Sequence, residues 1–144
     1  MPDFLPDRLE AGTQNTPGIA GLLEGLRHVN RRGTDAILRR ERALTIRLIQ
    51  ALRSQRRVRL FAADHLFCQT GVLSFTVSGS DPECVADRLS QKGIAVRSGL
   101  HCAPIAHRSA GTFPDGTVRV SVSDFNTPRD VDNFAQVMKQ ILRK

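Results

Sequence analysis

The spacing of apolar positions changes character along the chain. From Thr16 to Gly33, Ile19, Leu22, Leu23, Leu26 and Val29 recur at the three-and-four spacing of one helical face. Thr16–Pro17 supplies a start signal: a hydroxyl N-cap, then a proline whose missing N–H costs nothing in a first turn. Gly33 supplies the stop. Gly18, Gly21 and Gly25 each weaken this helix by about 1 kcal/mol relative to alanine, and small residues at such spacing predict close packing against another element. Thr34–Asp35 caps a longer helix to about Ser54, striped by Ile37, Leu38, Leu44, Leu48, Ile49 and Leu52. Arg39, Arg40, Arg42, Arg47 and Arg53 occupy much of the rest and read as a solvated charged face.

From Val58 the period shortens. Val58–Phe61 and Val72–Val77 read as strands. Asp81–Pro82–Glu83 opens a helix to about Lys92 that Gly93 ends, Ile94–Val96 is a short strand, and Thr117–Val122 alternates as another. Residues 98–116 read as one long irregular segment. Thr127–Pro128–Arg129–Asp130 starts a last helix, with Val131, Phe134, Met138, Ile141 and Leu142 on one side. The residues before Thr16, with Pro2, Pro6, Gly12 and Asn15, form an extended lead-in. This order predicts an α+β fold: a small, mostly antiparallel sheet with helices on one face, preceded by a helical arm.

The 144 residues, 40% hydrophobic and 24% charged, suit one soluble domain with a modest core. No apolar run approaches the roughly 20 residues that cross a bilayer, and the first residues lack the basic start and apolar run of a signal peptide. Three cysteines, an odd number, argue against a disulfide framework, so a cytoplasmic protein is expected. The net charge of +7 raises the question of nucleic acid. Yet the aromatic set is seven Phe with no Trp or Tyr, a poor platform for stacking bases, so neither nucleic acid nor a membrane is an expected partner.

Candidate chemistry gathers in three places. In Arg97-Ser98-Gly99-Leu100-His101-Cys102-Ala103-Pro104, Cys102 stands beside a histidine and five residues after an arginine. Neighbouring positive charge favours the thiolate, the nucleophilic form of cysteine. The competing reading is a small buried filler, and composition leaves both open. Cys68, among Leu66, Phe67 and Val72, and Cys84, in a helix's first turn, read as inert members of packed elements. His101, Cys102 and His107 lack the paired spacing of zinc ligands, His28 and His65 are isolated, and no metal site is expected. Arg119, mid-strand on the polar side of Val118, Val120 and Val122, suits bidentate capture of a carboxylate, against the plainer reading of a surface arginine. Gly12–Thr13, before a helix start, offers backbone N–H groups and a hydroxyl to a phosphate.

E-x-G-T-x-N-T at Glu10–Thr16, R-x-G-x-H-C-A at Arg97–Ala103 and R-x-S-x-x-x-F-N-T at Arg119–Thr127 together resemble class V aminotransferase-fold enzymes. Within these the sequence is most similar to cysteine desulfurases and selenocysteine lyases of the SufS type, over almost the whole chain. The resemblance implies that Cys102 attacks the sulfur of a cysteine held on pyridoxal phosphate, yielding alanine and an enzyme persulfide. It implies that Arg119 grips the substrate carboxylate, that Arg97 lies near the substrate or persulfide, and that Gly12 and Thr13 donate to the cofactor phosphate of the neighbouring subunit. L-cysteine as substrate, a homodimer, a sulfur-acceptor protein and a place in iron–sulfur cluster assembly come with it.

The resemblance also marks an absence. Such enzymes carry a Schiff-base lysine in a large preceding domain, and Lys92, Lys139 and Lys144 do not fit that role. The chain therefore resembles the C-terminal part of a desulfurase, an excised piece or a split-gene fragment. Residues 1–33 then belong to the missing large domain, and 34–144 form the C-terminal small domain typical of fold-type I pyridoxal enzymes. On its own it is expected to be inactive. Two alternatives stand beside this reading: a selenocysteine lyase or class V aminotransferase, and a non-enzymatic interaction domain using its arginine-rich helix.

Overall fold

The computed structural model describes residues 2–10 and 12–143. The chain forms two units, Met1–Ala36 and Ile37–Lys144. The first holds a single 3-10 turn at Asp7–Leu9 and helix α1, Thr16–Arg32. The cap of α1 is Asn15 rather than Thr16: its Oδ1 accepts from Gly18 N–H at 3.1 Å. No residue of α1 is buried, and a Cβ on Gly21 or Gly25 would meet only open space, so the close packing expected at those glycines is not found.

Helix α2, Thr34–Arg53, leads into the second unit. There follow β1 (Val58–Phe61), β2 (Val72–Val77), α3 (Pro82–Ser90), β3 (Arg97–Gly99), α4 (Pro104–Ala110), β4 (Thr117–Ser121) and α5 (Pro128–Leu142). The four strands form one antiparallel sheet in the order β1-β2-β4-β3, so α3 carries the chain across β4 to the far edge. Leu73, Phe75, Val77, Val118 and Val120 line one sheet face and bury against Leu48, Ile49 and Leu52 of α2, Val85 and Leu89 of α3, and Val131, Phe134 and Met138 of α5. Phe75 meets Phe134 edge to face at 6.3 Å. The fold is α+β, with those helices layered on one face. No helix among the described residues is long and apolar enough to cross a membrane.

Three arginines of α2 tie it to neighbouring segments, Arg47 from a position that stays half exposed. Arg47 makes a two-pronged contact with Asp132 of α5, at 2.7 and 2.8 Å. Arg40 donates to the Asn126 carbonyl at 2.9 Å, and Arg42 donates to the carbonyls of Phe67 and Gln69.

Two segments differ from the sequence reading. Ile94–Val96 is not the strand: Ile94 N–H returns to the Leu89 carbonyl at 3.0 Å and closes α3, and the ladder to β4 starts at Arg97. Residues 98–116 are not irregular throughout, because Pro104–Ala110 is helical and ends at Gly111 in a left-handed cap.

Candidate active site

Phe61, Ser74, Arg119 and Arg97 form one row across the sheet, on the face opposite the helical core. Arg97 and Arg119 stand directly opposite each other. Facing cross-strand residues have Cβ atoms about 5 Å apart, and like charges there repel. No carboxylate among the described residues pairs with either arginine. Arg119 Nε is buried and has no hydrogen-bond partner. A cationic pair left in this state is a place for an anion, and a planar carboxylate matches the guanidinium fork.

The loop that leaves this pair is closed at its base by two glycines. Gly99, at φ +97°, and Gly116, at φ +82°, approach so closely that a Cβ on Gly116 would lie 2.8 Å from Gly99 Cα and nearer still to its carbonyl. Inside the loop, His101 and Cys102 adopt φ +49° and +60°. Left-handed backbone at non-glycine residues costs about 1–2 kcal/mol each and concentrates at functional sites. Ala103 N–H closes the turn onto the Leu100 carbonyl at 2.8 Å. Cys102 is exposed at its apex, so the buried-filler reading falls.

Side chains behind the turn hold it. His101 Nε2 lies 3.4 Å from Thr117 Oγ1 on β4, and its ring centroid is 5.8 Å from that of His107 on α4. His107 is buried and pairs through Nδ1 with Thr112 Oγ1 at 2.7 Å. Burial, with Arg119, His107 and Arg97 nearby, holds the His101 imidazole below its ordinary pKa, offset in part by a hydrogen bond to the Thr117 backbone. Its Nδ1 is buried without a partner.

The other expected positions lie elsewhere. Gly12 and Thr13 are exposed in the first unit, and Ala11 within their motif lies outside the described residues. Cys68 and Cys84 are exposed, not packed. The apolar neighbours of Cys68 suggest burial, but Leu66 and Phe67 are themselves exposed, and Cys84 lies on the open side of the first turn of α3. Among the described residues no group of three or more His, Cys, Asp or Glu gathers as a metal would require.

A family model for aminotransferase class V matches residues 3–134. The chain belongs to the class V aminotransferase family. It is similar to a probable cysteine desulfurase of Pyrococcus abyssi, 34% identical over 139 residues, covering 96% of this chain and 34% of that protein. A probable cysteine desulfurase of Mycolicibacterium paratuberculosis is 38% identical over 136 residues, 94% of this chain but 19% of its own length. Among solved structures, the apo cysteine desulfurase of Thermococcus onnurineus superposes with a TM-score of 0.85 at 37% identity, covering 96% of this chain and 34% of that one. A cysteine desulfurase of Escherichia coli gives 0.82 at 28% identity, covering 96% and 33%. The chain thus spans about a third or less of the length of these relatives.

In this class V member the candidate residues Arg97, Cys102 and Arg119 come from the sequence; His107 enters there only as a rejected metal ligand, and Thr112, Thr117 and Gly116 carry no role there. The only sequence signal for the last was a glycine just before a strand.

Proposed function

We propose that the chain carries the sulfur-accepting part of a cysteine desulfurase, with L-cysteine as substrate and alanine and a Cys102 persulfide as products. The observation that carries this reading is the unneutralised Arg97–Arg119 pair, followed in the chain by an exposed cysteine on a left-handed turn. The arginines hold the carboxylate of the substrate. Cys102, as thiolate, receives its sulfur: an S–S bond forms as the C–S bond breaks. The exposed apex leaves the persulfide open to a sulfur-acceptor protein, consistent with cytoplasmic iron–sulfur cluster assembly.

Pyridoxal phosphate supplies the electron sink for C–S cleavage when bound. This chain alone does not fit the whole group. Lys92 follows α3 beside Gln140 and Ile141, and Lys139 is on α5, so both belong to the helical side of the sheet, opposite Arg119. Lys144 lies outside the described residues. The exposed Gly12 N–H and Thr13 hydroxyl suit its phosphate, donated to a neighbouring subunit of a homodimer. The covalent lysine is then a residue outside these 144, and residues 1–33 go with the domain that bears it, 34–144 forming the small domain.

The test is alanine release from L-cysteine by the product of the whole reading frame that encodes these residues, supplied with pyridoxal phosphate. Cys102→Ser should abolish turnover, and Arg119→Lys should raise KM for L-cysteine more than it lowers kcat. The 144-residue chain alone should form no lysine-linked absorbance band. Absence of alanine from the complete product, or turnover unchanged in Cys102→Ser, overturns the reading.

A further inference from the structure

We propose that His101 is the third member of the carboxylate site, taking up a proton when an anion sits between Arg97 and Arg119. The inference rests on the reading of that pair as an anion site and adds a residue and a proton to it.

Thr117 and Arg119 lie two residues apart on β4, on the same sheet face, about 7 Å from each other along the strand. The contact between His101 Nε2 and Thr117 therefore seats the imidazole beside the root of Arg119, and Arg97 faces Arg119 from β3. Two buried polar atoms in this cluster have no partner, Arg119 Nε and His101 Nδ1. Buried polar groups in native proteins are nearly always satisfied, so two orphans on neighbouring side chains point to an absent common partner. An oxyanion accepts from Arg119 Nε–H. It accepts from His101 as well only if Nδ1 bears a hydrogen.

The protonation state decides whether it does. The groups acting on the ring are Arg119 from β4, Arg97 from β3 and His107 from α4, with Cys102 next in the chain and no carboxylate among them. Burial and the two guanidinium charges hold the imidazole below its ordinary pKa and so favour its neutral form. With Nε2–H given to the Thr117 backbone, its unpartnered Nδ1 then presents a lone pair that repels an anion. A bound carboxylate cancels much of the arginine field and accepts a hydrogen bond from the newly protonated Nδ1. The proton comes from solvent, and by linkage anion affinity rises as the pH falls toward the His101 midpoint.

The experiment uses the 144-residue chain, isotopically labelled, with sodium acetate as probe against sodium chloride at equal ionic strength. NMR follows the ring resonances of all four histidines against pH, and the Nε–H of Arg119 reports occupancy directly. Acetate should shift the Arg119 signal and raise the His101 midpoint by roughly one pH unit, the lower end of what an opposite charge at 4–6 Å produces. The midpoints of His28 and His65 should stay in place, and Arg119→Gln should abolish the rise with the amide spectrum otherwise retained. If Arg119 responds to acetate and the His101 midpoint does not move, the inference is overturned while the anion site stands. If neither responds, the anion reading of the pair fails and takes the inference with it.

Discussion

Replacing Gly116 by alanine tests the geometry that closes the loop bearing Cys102. Two penalties add. The residue sits at φ +82°, where a Cβ costs about 1–2 kcal/mol from local sterics alone. The new Cβ also falls 2.8 Å from Gly99 Cα and closer to the Gly99 carbonyl, which is backbone and cannot swing away. Relief requires β3 to retreat from β4 at the Gly99–Thr117 pair, with loss of a ladder hydrogen bond worth about 1 kcal/mol. The total is roughly 2–3 kcal/mol. Gly111→Ala is the control: its φ of +68° imposes the same local cost, but nothing lies within 4 Å of its added Cβ. With no Trp or Tyr to give fluorescence, urea unfolding is followed by far-UV circular dichroism. At an m-value of about 1–3 kcal/mol/M, Gly116→Ala should lower the midpoint by roughly 1–2 M and Gly111→Ala by about half as much. Equal losses in the two variants would refute the backbone collision.

Phe75→Ala should cost about 3–5 kcal/mol, since the ring is fully buried against Phe134, whereas Phe67→Ala, at 68% exposure, should stay within about 0.5 kcal/mol in the same assay. Stability should fall as pH drops below about 6.5, because the depressed His101 binds a proton more readily in the unfolded chain; a flat urea midpoint from pH 8 to about 5 would contradict this. The depressed carboxyls of Asp130, which accepts from Thr127 N–H, and Asp132, paired with Arg47, stabilise the fold above about pH 3.9 and lose that contribution as pH falls through their lower folded values. Asp132→Asn should lessen the acid loss, and an unchanged acid limb would count against the pair. Limiting iodoacetamide should label Cys102 ahead of Cys68 and Cys84 when adducts are mapped by mass spectrometry. All three thiols are exposed, so the ranking rests on Arg97 five residues before Cys102 in the chain, as against Asp81 and Glu83 beside Cys84.

How much of this was legible in the sequence depends on how local each signal is. Helices α2, α3 and α5 and strands β1, β2 and β4 follow from apolar period and caps, which act over a few residues. The edge strand was misplaced because Ile94 and Val96 are apolar for another reason: they pack against the core at the exit of α3. Helix α4 was hidden because a seven-residue helix with one buried side chain, His107, has no periodicity to read. The three motif residues of the site could be named from sequence. The register that sets Arg97 opposite Arg119 depends on β4 inserting between β2 and β3, a long-range pairing that no local pattern encodes. For the same reason the Thr117–His101–His107–Thr112 support, which spans two elements and a turn, emerged only with the fold.

The proposed transfer of sulfur from L-cysteine to Cys102 is read most directly as covalent mass. The product of the complete reading frame is incubated with L-cysteine and pyridoxal phosphate, trapped with an alkylating agent without reductant, and digested. The account predicts one additional sulfur atom on the peptide bearing Cys102, none on those of Cys68 and Cys84, and loss of alanine formation in Cys102→Ser. Alanine formation with the extra sulfur on Cys68 or Cys84, or on no cysteine, would contradict it.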